Sequence, residues 1–209
     1  MRILIYLFDG VTALDAIGPY ESLSRLPDVD ILFVARAQGP LRTGDGFLGL
    51  HADAAIGEAG AADMLIVPGG QRDAVAREAR DPELLAWLRT IDAVTRRTCS
   101  VCTGAILLAA AGLLSGRRAA THWRARDILP KLGVRYSGER VTADGKYLTS
   151  AGVSAGIDMG LTLCAEIAGR ELAEAAQLSM EYDPRPPFDA GDHRTAGPER
   201  IALVETLRT

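Results

Sequence analysis

Cys102 sits where a short β-friendly run, Thr98 to Val101, meets the small-residue apolar run Gly104 to Leu114, which suits only a helix. A side chain at such a strand-to-helix turn stands above the sheet, at the end of the helix where first-turn N–H groups lack internal partners. A thiol there is expected to be partly ionised and nucleophilic. The arrangement is a cysteine form of the nucleophile elbow, with Thr103-Gly104 as the small residues that let the turn close. Burial as an ordinary structural cysteine is the competing reading. Cys99-Ser100-Val101-Cys102 also spells C-x-x-C. Cys99 falls inside the predicted strand, however, and an odd offset along a strand sends the two side chains to opposite faces.

Three further positions could serve that thiol. Asp15 follows the first predicted strand, and open α/β sheets bind ligands beyond their strand ends; a carboxylate capping the next helix is the equal alternative. Pro68-Gly69-Gly70 ends another strand, and paired glycines let backbone N–H groups approach a ligand, as an oxyanion hole requires; a plain turn is the equal alternative. His122 follows a short strand near a helix start, which makes it the candidate for a Cys–His pair, although a His-Trp pair can also close a loop over the core.

The elements that must position these residues alternate strand and helix. Ile3–Phe8, Ile31–Ala35, Met64–Val67 and Thr98–Val101 read as strands buried on both faces. A hairpin is expected about Gly44-Asp45-Gly46, and another about Asp144-Gly145. Arg117–Thr121 is expected to be a short strand, followed by His122-Trp123 and a helix to about Lys131, and Val134–Tyr136 with the hairpin Val141–Thr149 is expected to complete the sheet. Pro19 implies that the first helix becomes regular only there. Asp81-Pro82-Glu83 is a helix start, and Ser154 is the expected cap of a helix over 157–168. Prolines keep the tail from about 182 extended. The expectation is one domain over 1–209, α/β, with helices on both faces of a mostly parallel sheet.

The 209 residues carry 23 basic and 27 acidic side chains, a net charge of −4, with no basic run. That argues against a nucleic-acid partner. No apolar stretch has the length of a membrane span, and three cysteines do not form a disulfide framework. A cytoplasmic location is the expectation.

Several motifs together resemble one family. Leu14-Asp15-Ala16-Ile17-Gly18-Pro19, Val67-Pro68-Gly69-Gly70, Ser100-Val101-Cys102-Thr103-Gly104, Ala111-Gly112-Leu113-Leu114, Thr121-His122-Trp123, Ala155-Gly156-Ile157-Asp158 and the Tyr182–Phe188 tail are similar to the ThiJ/PfpI (class I glutamine amidotransferase-like) superfamily. Within it the Asp15 motif and the proline-rich tail resemble the isonitrile hydratases. The resemblance implies a flavodoxin-like three-layer sandwich, a homodimer, a small-molecule substrate and no metal or organic cofactor. It implies Cys102 as nucleophile, Asp15 as general acid and later base, and the Gly70 and Thr103 N–H groups as orienting donors. Thr103 stands where proteases of the superfamily carry His, and Asp15 where glyoxalase-like members carry Glu. Regulators of the superfamily append a DNA-binding module, for which the tail after Tyr182 is too short. A glyoxalase or deglycase activity and a non-enzymatic cysteine redox sensor are the alternatives.

Overall fold

The computed structural model describes residues 1–207. The chain runs β1 (Arg2–Tyr6), α1 (Ala13–Leu23), β2 (Asp30–Ala35), β3 (Gly39–Arg42), β4 (Gly49–Ala52), β5 (Ala54–Ala55), β6 (Met64–Val67), α2 (Arg72–Glu78) and α3 (Pro82–Val94). It continues with β7 (Arg97–Val101), α4 (Gly104–Ala110), β8 (Arg118–Ala119), β9 (Arg135–Tyr136), β10 (Val141–Asp144), β11 (Tyr147–Ser150), α5 (Ala155–Ala168), α6 (Arg170–Ser179) and α7 (Pro198–Val204). Short 3₁₀ turns occupy Trp123–Ala125 and Leu129–Leu132.

Among the described residues the main sheet has the order β10-β11-β7-β6-β1-β2-β5. Every pairing is parallel except that of β10 with β11. Parallel strands need crossover helices, and these cover both faces: α1 packs on α5 and α5 on α6, while α2 and α3 pack on α4. That is why β1 and β6 are apolar on both faces, with Ile3 to Leu7 and Leu65 to Val67 fully buried. Asp81 caps α3 by accepting the Glu83 and Leu84 N–H groups, as the Asp-Pro-Glu signature predicts.

Four local expectations are corrected. Helix α1 begins at Ala13 and contains Pro19, which cannot donate to the Asp15 carbonyl. Tertiary packing outweighs that loss. Gly18, Gly156 and Gly160 let α1 and α5 approach until a Cβ on Gly160 would stand 2.7 Å from the Ser22 Cβ, and one on Gly156 3.2 Å from Pro19 Cδ. The segment 135–136 pairs with the short strand 118–119 in a separate parallel ladder rather than completing the main sheet. Side chains of the β10–β11 hairpin take the available donors: Arg118 N–H donates to Asp144 and Ala120 N–H to Thr149. The expected helix running to about Lys131 is two 3₁₀ turns, because Pro130 lacks the N–H a continuous helix would use. Ser154 occupies the N-cap of α5, but its side chain makes no capping bond; Arg140 reaches its hydroxyl. Strand β5 and helix α2 were not anticipated, the first being only two residues long and the second starting without a side-chain cap.

Candidate active site

The turn at Cys102 is held from three sides. Its N–H donates to the Ser150 and Ala151 carbonyls, both at 3.1 Å, and its carbonyl accepts the Thr121 hydroxyl at 2.9 Å. Those bonds maintain a left-handed backbone, φ 57°, which costs a non-glycine residue energy and is kept only where its surroundings over-determine it. The following helix can start at once because Gly104 has no side chain; a Cβ there would overlap the Val67 carbonyl oxygen of β6. Neither backbone can yield, so Gly104→Ala is expected to cost at least about 3 kcal/mol. Urea unfolding of the variant checks this through a lowered midpoint at unchanged slope.

Asp15 lies in the first turn of α1 and is fully buried beside Cys102. Its Oδ2 accepts the Gly69 N–H at 3.0 Å, while Oδ1 has no well-formed partner among the described residues. Burial pushes the carboxyl up to about 7, and the Gly69 N–H and the Cys102 thiol offset only part of that. The carboxylate therefore does not cap α1; the cap position is Thr12.

Cys102 is 5 % exposed. Burial and the facing Asp15 charge push its thiol well above the ordinary cysteine value, while the Val153 and Thr103 N–H groups pull the other way. The expectation of a partly ionised thiol is thus corrected: α4 has only seven residues, and its dipole does not outweigh desolvation beside a carboxylate. The thiol therefore keeps its proton at neutral pH.

The remaining candidates are distributed as follows. The Thr103 N–H faces the sulfur. The Gly70 N–H does not reach toward a ligand; it donates to Thr103 Oγ1 at 3.1 Å. Of the two glycines it is Gly69 that binds Asp15, and a Cβ there would overlap Thr103. His122 lines the same cavity as Cys102, yet no hydrogen bond joins them among the described residues. Its Nδ1 accepts the Arg124 N–H at 3.3 Å, and burial with nearby Arg124 and His193 holds it below its usual value, hence neutral. Val153 was missed. Its N–H meets the sulfur and its φ is 37°, and the only trace in the sequence was Gly152, which leaves room for the His122 ring.

Cys102 and Thr103 line a cavity of about 670 Å³ whose walls include Val75, Ile106, Trp123, Ile128 and Val204. Asp15, fully buried, is not among its lining residues and interacts with Cys102, which is. Among the described residues no group of three His, Cys, Asp or Glu side chains is arranged to hold a metal ion. All three cysteines are free.

Residues 1–166 match the profile of the DJ-1/PfpI family. The chain belongs to the DJ-1/PfpI family. Among family members it is 41 % identical over 196 residues to a protein named isonitrile hydratase from Pseudomonas putida, covering 94 % of this chain and 85 % of that one. It is 26 % identical to a deglycase from Thermococcus kodakarensis, over 72 % of this chain and 89 % of the relative. A crystal structure of a ThiJ/PfpI family protein from Pseudomonas syringae superposes with a TM-score of 0.93 at 37 % identity, over 98 % of this chain and 85 % of that one. The DJ-1/PfpI assignment agrees with the flavodoxin-like layering described above.

Proposed function

We propose that this chain is an isonitrile hydratase that works through Cys102 and Asp15. The observation that carries the reading is a buried thiol that lines a largely apolar cavity and is paired with a buried carboxylate. The similarity to the Pseudomonas putida isonitrile hydratase supports it.

The terminal carbon of R–N≡C accepts a soft nucleophile. As the Cys102 sulfur bonds to it, the thiol proton passes to Asp15 Oδ1 and on to that carbon. The product is a neutral thioimidate, R–N=CH–S–Cys102. Because thiol and carboxylate exchange one proton, no net charge is created in the dry site, which suits a sulfur too buried to rest as thiolate. Water then adds to the thioimidate carbon while nitrogen gains a proton. The C–S bond breaks, sulfur recovers its proton through Asp15, and R–NH–CHO leaves. The sum is isonitrile plus water giving formamide. The Thr103 and Val153 N–H groups stabilise charge on sulfur as the C–S bond forms and breaks. Gly70 supports the Thr103 side chain, and His122 serves as a wall of the cavity.

Incubation of the protein with benzyl isonitrile is expected to yield N-benzylformamide well above the uncatalysed rate, followed by chromatography. The deglycase relative favours a second reading, glyoxalase or deglycase chemistry. Lactate from methylglyoxal with no formamide from the isonitrile would replace the first reading by the second. A redox-sensor role is weakened by the same burial, since oxidation proceeds from the thiolate.

A further inference from the structure

The cavity is far larger than the reacting group. An isonitrile contributes two heavy atoms at the sulfur, and about 670 Å³ extends beyond it. That space lies within the range of pockets that enclose a ligand of drug size. Its apolar lining includes Val75 from α2, Ile106 from α4, and Trp123 and the partly exposed Ile128 from the 3₁₀ region, and the exposed Arg72 and Arg80 also line it. An ethyl substituent would leave most of these apolar surfaces without a partner.

The outer wall comes from the C-terminal segment. Val204, the last residue of α7, lines the cavity, yet α7 has no buried residue of its own. The segment is seated by two contacts beside the site. Glu205 pairs with Arg124 at 2.8 Å, and the His193 ring stacks on Trp123 with centroids 5.5 Å apart and planes 7° from parallel. The His122 ring also lies against Trp123, tilted, with centroids 5.7 Å apart. The same segment thus clamps one wall residue and supplies another.

We infer that α7, through Val204, sets how large an apolar substituent on the isonitrile nitrogen the site can take. The inference rests on the hydratase reading for the reacting group and on the cavity alone for the substituent. Each methylene equivalent taken from water is worth about fourfold in binding. Benzyl isonitrile is therefore expected to exceed ethyl isonitrile in kcat/KM by at least about 100-fold. Val204→Phe, which fills the outer end of the cavity, is expected to lower that ratio by at least about tenfold.

A chemistry-free arm uses Cys102→Ala and the stable formamides, with quenching of tryptophan fluorescence as readout. N-benzylformamide is expected to bind more tightly than N-ethylformamide, and addition of Val204→Phe to remove most of the difference. A wild-type ratio near one, or a ratio unmoved by Val204→Phe in both arms, overturns the inference while leaving hydration intact. Absence of turnover for both isonitriles, with the binding order and its loss in Val204→Phe preserved, overturns the hydratase reading and retains the apolar-substituent site bounded by α7.

Discussion

Cys102→Ala is expected to lose isonitrile hydration by on the order of 10⁴-fold or more, because no other group in the cavity can form the covalent adduct and the remaining donors only orient water. Cys102→Ser separates nucleophilicity from shape. A hydroxyl in the same desolvated site is a harder and far weaker nucleophile, so it should fall nearly as far. Both variants keep a non-glycine residue at φ 57°, so the backbone strain is not relieved and far-UV circular dichroism should match wild type. Acid-quenched wild-type protein, taken during turnover, should show an intact mass increased by that of the isonitrile; neither variant should. A Cys102→Ala rate within tenfold of wild type would eliminate the proposed nucleophile.

Asp15→Asn is expected to reduce kcat/KM by about 10² to 10⁴-fold, the range for loss of a positioned acid–base group. The amide can still meet the Gly69 N–H through its oxygen, so the change removes proton traffic and little else. Because burial places the Asp15 carboxyl at about 7, wild-type kcat/KM should fall as pH drops below about 7, where the carboxylate can no longer accept the thiol proton. The variant should lack that limb. Stability runs the opposite way. In the unfolded chain this carboxyl ionises near 4, whereas the folded protein keeps it protonated up to about 7. The folded state therefore binds the extra proton between those values, and the Asp15 contribution to stability declines as pH rises from about 4 to about 7. At pH 8 Asp15→Asn, which has no charge to bury, should melt higher than wild type by differential scanning calorimetry. Equal melting temperatures at pH 8 together with an unchanged activity profile would show that the carboxylate is neither strained by burial nor used in catalysis.

These two results, with opposite signs for rate and for stability, describe a site that holds an ionisable group where the fold alone would not place one. The backbone glycines around it serve the same end. Gly69 brings a main-chain donor against Asp15, and Gly104 brings α4 against the end of β6. Both are positions where a methyl group has no room.

What the sequence by itself determined was the central strands β1, β2, β6 and β7, the mostly parallel α/β class, and the joint at Cys102. Continuous apolar runs such as Ile3–Phe8 can be buried only between two helical layers, and a strand followed at once by small residues can only turn upward into a helix. The identity of Asp15 as a residue of interest was legible; its role as partner rather than cap was not, because that depends on β6 ending beside α1, fifty-four residues away in the chain. Tertiary structure also decided that Pro19 lies within α1, since close packing on α5 outweighs one lost hydrogen bond. It decided that Gly70 supports Thr103 while Gly69 holds the carboxylate, a choice between adjacent N–H groups that no spacing rule makes. Above all it decided the protonation of the pair. Desolvation sums over every neighbour in space, so a helix end that in isolation would ionise a thiol here leaves the proton on sulfur and raises the acid beside it.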